Sequence, residues 1–465
     1  MTQMHPITID CFKAYDVRGK LGSQLNDEVA YRIGRAFAEH LSAKTCVIGS
    51  DIRPTSETLK ASVIQGMLDA GADVIDLGMT GSEEVYFATS DLDACGGIEV
   101  TASHNPIDYN GLKFVREGSR PIGEHTGLGD IQQLAQNGHF KPASQGNLTH
   151  NFSKTRYVDH LMSFIDTDKL KPMTIVVNPG NGSAGPTLEA LEEKLSPYGI
   201  SFIRVNFSPD GSFPNGIPNP MLTANRLSTA QAVVSHGADF GVAFDGDFDR
   251  CFFFDSQGEF IEGYYVVGLL AAAFLTKGPA AIAYDPRLVW NTEAVVEAGG
   301  GTPVLSPSGH SNLKEAMRTA GAVYGGEMSA HHYFEDFFYC DSGMVPWLLV
   351  LELLSQTELN LADLVKSYQA DYPSPGEINY RLSDLSPAEL IAIIQAHYLG
   401  LYPDARVMHV DGVSMDMGKW RFNLRASNTE PLIRLNLETR ADAALMTQKF
   451  AEIEALIIAN GGTQA

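Results

Sequence analysis

One grammar returns three times along this chain, and it limits the fold more than any other feature. "TCVIGSD" (45–51) leads into the helical pattern "SETLKASVIQGMLDAG" (56–71), followed by the runs "ADVIDLGM" (72–79) and "GGIEVTAS" (96–103). "MTIVVNPGNGSAGPTLEALEEKLSPYGISFIRVN" (173–206) is strand, Gly-rich turn, helix, strand, and "AAIAYDPRLVWNTEAVVEAGGGTPVLSPSGH" (280–310) repeats it with different residues. Strands alternating with helices predict α/β units whose helices cover a largely parallel sheet, and the recurrence predicts tandem copies of one such domain. Beyond a Pro- and Gly-bearing connector near 366–378, the pattern becomes a hairpin-like run of alternating apolar residues (405–440) and then one helix (441–460). The expected fold is therefore α/β: three related α/β domains (1–150, 151–254, 255–368) plus a smaller C-terminal α+β domain (369–465).

A length of 465 residues accommodates that many domains. The longest run without a polar residue, "YYVVGLLAAAFL" (264–275), is too short to cross a bilayer and predicts a buried helix. The start, "MTQMHPITIDCFKAYDVRGK", lacks the apolar core of a signal peptide, and the five cysteines form no C-x-x-C pair. Both features predict a cytoplasmic protein with reduced thiols. The formal charge of −23, with no basic run, argues against nucleic-acid and anionic-membrane partners. An anionic small molecule stays compatible, because distant charges are screened beyond about 8 Å and local cations decide.

Four stretches carry candidate chemistry. In "VTASHNPIDYNGLKF" (100–114), Ser103 and His104 follow a strand and so lie at its carboxyl edge, where open α/β sheets place ligands; Lys113 follows on the next segment. Adjacent residues on extended chain point oppositely and no G-x-S-x-G elbow exists, so a Ser-His hydrolase triad is disfavoured. "GVAFDGDFDR" (241–250) puts Asp245, Asp247 and Asp249 on a tight loop after an apolar strand. Two carboxylates about 4 Å apart repel by about 4 kcal/mol at an effective dielectric near 20, so the cluster calls for a cation, and hard oxygen ligands favour Mg2+. Arg250, where an EF-hand loop needs glycine, disfavours a calcium loop.

"GGEMSAHHYF" (325–334) spaces Glu327, Ser329 and His331 alternately, a pattern suited to sugar hydroxyls. "RASNTEPLIR" (425–434) gathers Arg425, Ser427, Asn428, Thr429 and Arg434, guanidinium forks and small donors that match a phosphate. "PGNGSAGP" (179–186) fits G-x-G-x-x-G, but the next strand does not end in the acidic residue a dinucleotide ribose needs, so a structural turn is expected.

In this order, T-A-S-H-N-P, D-G-D-F-D-R, G-E-M-S-A-H and R-A-S-N-T-E-P-L-I-R resemble the α-D-phosphohexomutase superfamily, most closely its bacterial phosphomannomutase/phosphoglucomutase branch. The resemblance runs essentially end to end. It implies a heart-shaped, four-domain enzyme with mixed sheets around a central cleft. By that similarity Ser103 is carried as a phosphoserine, Asp245, Asp247 and Asp249 hold Mg2+ against its phosphoryl group, and Arg250 lies beside the same phosphate. His104 and Lys113 resemble the proton-transfer residues, and Tyr15 and Arg18 their neighbours. Glu327 and Ser329, with His331 close by, resemble the grip on sugar hydroxyls, with Arg287 and His310 as further substrate contacts. Arg425, Ser427, Asn428, Thr429 and Arg434 are similar to the clamp on the phosphate already present. Met328 matches hexose mutases and disfavours an amino sugar, while Ala330 and the second histidine, His332, depart from the pattern.

The activity implied is interconversion of mannose 6-phosphate and mannose 1-phosphate, and possession of glucose activity too is the alternative. The group passes through a phosphoserine and a hexose 1,6-bisphosphate that serves as intermediate and activator, and the product feeds GDP-mannose and polysaccharide precursors. The expected partners are small hexose phosphates, with the chain a monomer or weak homodimer. A metal-dependent phosphatase with Asp245 as nucleophile, a non-catalytic sugar-phosphate sensor and a dinucleotide oxidoreductase are the rivals.

Overall fold

The computed structural model describes residues 4–383, 385–427 and 432–465. It divides into two compact units, one comprising residues up to Phe260 with His331–Glu358, the other Ile261–Ala330 with Leu359–Ala465.

The first unit contains two mixed sheets. In one, the strands run Asp16–Lys20, Tyr109–Arg116, Gly96–Val100, Thr45–Ser50, Asp73–Met79 and Leu148–His150 across the sheet. The pairs among Gly96–Val100, Thr45–Ser50 and Asp73–Met79 are parallel, whereas Tyr109–Arg116 is antiparallel to both of its neighbours. Helix Asp27–His40 starts where the Asn26 side chain accepts the Val29 N–H, and it buries Ala30, Ile33 and Phe37 against that sheet's core. In the second sheet, Phe240–Phe244 pairs in parallel with Met173–Asn178 and antiparallel with Cys251–Phe254. Phe244 faces Cys251, so residues 245–250 form the loop that closes this hairpin. All five residues of Phe240–Phe244 are buried, which fixes the loop's base.

In the second unit, parallel strands Thr302–Leu305, Ala281–Tyr284 and Ala322–Gly326 lie beside helix Gly263–Leu275, most of whose residues are buried. That helix is the apolar run the sequence reads as a core element, and no helix among the described residues is long and apolar enough to cross a membrane. The C-terminal part is an antiparallel sheet in the order Arg406–Met408, Val413–Asp416, Trp420–Ala426, Leu432–Thr439, Ile378–Leu382, Gly462–Gln464. Helices Pro387–Leu401 and Ala443–Ala459 bury Leu390, Ile394, Ile453 and Ile457 in its core.

The connector expected over 366–378 is shorter than its composition suggests. Helix Leu361–Asp371, capped by Asn360 and anchored by buried Leu361 and Val365, takes its first half and runs across residue 368. A buried ion pair of 2.7 Å joins Arg421 and Glu438 on adjacent strands of the antiparallel sheet, and both side chains also reach the α/β part of the same unit. Arg421 also donates to the carbonyls of Pro286 and Arg287 at 2.9 and 3.0 Å, and Glu438 accepts the Val289 N–H at 2.8 Å.

Candidate active site

Ser103 lies just past the carboxyl end of Gly96–Val100, in a turn closed by Asn105 N–H to Ala102 O at 2.9 Å. Its backbone takes φ +49°, a left-handed conformation uncommon for serine, and its side chain is buried. The turn is gripped from two sides. The Thr101 hydroxyl accepts the Ser103 N–H at 2.8 Å and donates to Asp51 at 2.7 Å. The Arg53 guanidinium donates to four carbonyls of the loop, those of Ser103 (3.0 Å), Asn105 (2.5 Å), Pro106 (2.9 Å) and Tyr109 (3.1 Å). Arg18 adds bonds to Ala102 O at 3.4 Å and to the Asn105 side chain, and is itself held by Asp16 at 2.8 Å. Tyr15 immediately precedes that strand and is half-buried.

The 245–250 loop meets this turn directly. A Cβ on Gly246 would stand 2.5 Å from Ser103 O, so only glycine permits the approach. Ser103 Oγ donates to Asp245 Oδ2 at 3.1 Å and lies 3.0 Å from His104 Nδ1. Arg250 binds Asp245 Oδ2 through Nε at 2.9 Å and reaches His104 Nδ1 at 2.6 Å. Lys113, on the strand antiparallel to Gly96–Val100, contacts Asp247 Oδ2 at 2.6 Å and also Asp249 Oδ2. Ser82 Oγ donates to Asp247 Oδ2 at 2.6 Å. The "PGNGSAGP" turn supports the same loop, through Ser183 N–H to Gly246 O at 3.2 Å.

The residues fit a hard divalent cation. Asp245, Asp247 and Asp249 are buried, with carboxylate oxygens within 4.8 Å of one another. Each Oδ2 is engaged by the side chains just named, while all three Oδ1 atoms are buried without a hydrogen-bond partner among the described residues. Buried unpaired carboxylate oxygens are costly, and a cation satisfies them together.

The charges follow from these contacts. Burial and then Asp247 raise the Asp249 carboxyl to about 6, with Lys113 opposing. Burial disfavours the Asp245 and Asp247 anions, but Arg250 and Lys113 respectively overcome it and hold both low. Burial opposes the Lys113 charge too, and Asp247 and Asp249 overcome it, so Lys113 stays a cation. Desolvation and then Arg250 push His104 down to about 4, leaving it neutral at pH 7 and able to accept a proton.

Arg287, His310, Glu327, Ser329, Arg425, Ser427 and Arg434 all belong to the second unit. Arg287 is fully buried and held by Asp285 through Nε at 3.0 Å and Nη2 at 2.6 Å; the same Nη2 donates to Ser329 at 3.2 Å. Glu327 accepts the Gly309 N–H at 2.8 Å, immediately before helix His310–Ala320 begins. Arg434 donates to Ser427 at 3.1 Å and to Glu377 at 3.0 Å. Asn428 and Thr429 lie outside the described residues.

The alternation expected of Glu327, Ser329 and His331 does not hold. Ala330 takes φ +68°, which breaks the extended run. His331 belongs to the first unit, where it pairs with Asp341 at 3.0 Å and lies close to Asp249. Sequence reasoning also missed Arg53, Ser82, Asp285, Asp341 and Glu377, none of which stands in a recognisable motif.

A buried serine hydroxyl beside a cation-ready carboxylate triad, on a scaffold of three α/β domains and an antiparallel C-terminal domain, fits a phosphoryl-transferring enzyme. Four family models match in succession: phosphoglucomutase/phosphomannomutase α/β/α domains I (10–141), II (155–258) and III (262–372), and the C-terminal domain (377–456). The chain belongs to the phosphoglucomutase/phosphomannomutase family. It is 56% identical to a phosphomannomutase from Salmonella montevideo, covering 97% of this chain and 99% of that one. It is 54% identical to a phosphomannomutase from Escherichia coli strain K12, covering 97% and 99%. A crystal structure of a phosphoglucomutase/phosphomannomutase family protein from Burkholderia thailandensis superimposes with a TM-score of 0.87 at 28% identity, covering 98% of this chain and all of that one.

Proposed function

We propose that this enzyme is a phosphomannomutase, interconverting mannose 6-phosphate and mannose 1-phosphate by way of a phosphoryl group stored on Ser103. The observation that carries this is the buried Ser103 hydroxyl, 3.1 Å from Asp245 and beside three unsatisfied carboxylate oxygens. High identity over nearly the full length of curated phosphomannomutases supports the substrate.

In the first half-reaction the Ser103 Oγ–P bond breaks as the substrate's free hydroxyl oxygen bonds to phosphorus. The hydroxyl proton passes to neutral His104, and Lys113 keeps its charge to hold Asp247 and Asp249 in place. Arg250 steadies the phosphoryl oxygens. We assign Mg2+ to Asp245, Asp247 and Asp249; when bound, it neutralises charge on the phosphoryl group. The resulting hexose 1,6-bisphosphate turns end for end and returns its other phosphate to Ser103, and added bisphosphate primes an unphosphorylated enzyme. Glu327, Ser329, Arg287, His310 and His331 bind the sugar, with Tyr15 and Arg18 beside the serine. Arg425, Ser427, Asn428, Thr429 and Arg434 hold the distal phosphate. We further assign domain limits of 1–150, 151–254, 255–368 and 369–465, a cytoplasmic location, and a monomer or weak homodimer.

Phosphorus NMR of mannose 1-phosphate turnover, with glucose 1-phosphate in parallel, tests the assignment together with peptide mass mapping. Ser103→Ala is expected to lose almost all interconversion. A fully active preparation that never carries phosphate on Ser103, even after exposure to the bisphosphate, overturns the assignment.

A further inference from the structure

Glu377 lies just before strand Ile378–Leu382 and faces three guanidinium groups of the second unit. Arg434 Nη1 donates to it at 3.0 Å, and Arg287 Nη1 and Arg425 Nη2 stand 3.6 Å away. Asn436 adds a bond at 3.4 Å. The carboxylate is nearly buried, with 8% of its side chain exposed, so water screens it little. Arg287 is committed elsewhere, bound twice by Asp285 and lying 3.7 Å from Glu327. Arg425 is buried, lies 3.6 Å from Asp411, and leaves Nε without a hydrogen-bond partner among the described residues.

The charges of this cluster are unusual for an anion site. Arg287, Arg425 and Arg434 face Asp285, Glu327, Glu377 and Asp411, so the three cations are matched by carboxylates before a phosphate enters. A site meant only to retain a dianion gains from uncompensated positive charge. Among the described residues, Glu377 is the one carboxylate shared by all three arginines, and it opposes an arriving phosphate over a few ångströms.

We propose that Glu377 is a positioning residue: a fixed counter-anion that preorganises the arginine cluster while weakening its hold on phosphate. This rests on the phosphomannomutase assignment, in which the cluster grips a bisphosphate in one orientation, lets go and grips it in the other. Too tight a hold traps the intermediate, and too loose a hold loses it to solvent. Binding the ground state more strongly lowers KM without helping turnover, and slow release lowers kcat.

The test uses Glu377→Gln, which keeps the shape and removes the charge. Calorimetric titration with inorganic phosphate and with mannose 1-phosphate is expected to show binding at least about tenfold tighter than wild type, a lower bound on the effect of removing one charge a few ångströms away at an effective dielectric near 20. Both KM and kcat for mannose 1-phosphate are expected to fall, and Glu377→Asp is expected to restore wild-type values to within about twofold. If Glu377 were only structural, its loss would let the arginines repel one another, and phosphate would bind less tightly. A folded Glu377→Gln protein with unchanged or weaker phosphate binding therefore overturns the proposal. If that variant does not fold, Asp411→Asn, which removes the carboxylate on the other side of Arg425, must tighten binding in the same direction, and failure to do so overturns it equally. Binding is read independently of turnover, so a wild-type enzyme that binds mannose 1-phosphate without isomerising it refutes the assigned activity and not the charge effect.

Discussion

Ser82 Oγ donates a 2.6 Å hydrogen bond to Asp247 Oδ2, from the first turn of helix Ser82–Asp91 to the middle of the carboxylate loop. Helix and loop are 165 residues apart in sequence, yet Ser82 N–H also bonds Asp247 O at 3.1 Å. With Lys113 on the same Oδ2, the side-chain contact leaves Asp247 Oδ1 without a hydrogen-bond partner among the described residues. Ser82→Ala is therefore expected to weaken divalent-ion activation by about 10- to 100-fold with little change in the melting temperature. Titrating activity against Mg2+ checks it.

Gly246→Ala puts a methyl group 2.5 Å from the Ser103 carbonyl. Neither loop can withdraw without disturbing the serine, which Arg53 holds through four carbonyls. The expected result is a stability loss of about 1–3 kcal/mol together with a much larger fall in kcat, read by thermal denaturation and steady-state kinetics.

Lys113→Met removes the cation shared by two buried carboxylates. Breaking such a pair from one side costs about 3–5 kcal/mol. The variant is expected to melt earlier than wild type and to recover more stability than wild type on adding Mg2+, because the ion then supplies the missing positive charge. Calorimetric melts with Mg2+ and with a chelator make the comparison.

Burial opposes the Glu377 anion, but Arg287, Arg425 and Arg434 overcome it and hold the carboxyl below its ordinary value of 4.5. A depressed carboxyl contributes stability that is fully present above pH 4.5 and is lost as pH falls through the lower folded value. Wild type is thus expected to lose stability more steeply below pH 4.5 than Glu377→Gln, which has no proton to take up there. Denaturant melts across that range, compared between the two proteins, read the difference in slope.

The features legible in the sequence were those whose chemistry is local. Strand-then-turn grammar located Ser103, and aspartates two apart after an apolar strand located the cation loop, because one short segment supplies each. Glu377 was invisible for the opposite reason. It stands in "PSPGEIN", a stretch that reads as a connector, and gains its meaning only when Ile378–Leu382 pairs with Leu432–Thr439 and brings Asn379 opposite Arg434. Ser82 and Arg53 likewise act on segments far away in sequence. The alternation assumed for Glu327, Ser329 and His331 failed at Ala330, whose positive φ no propensity for alanine announces. The connector was overestimated because the helix that takes its first half is anchored by Leu361 and Val365, which lie upstream of it.

The φ of +49° at Ser103 narrows which side chains can stand at this position. A β-branched side chain is strongly disfavoured in that backbone region, so threonine, the other aliphatic alcohol among the amino acids, is a poor replacement despite carrying the same functional group. The backbone at this position therefore discriminates between the two aliphatic alcohols independently of their shared chemistry.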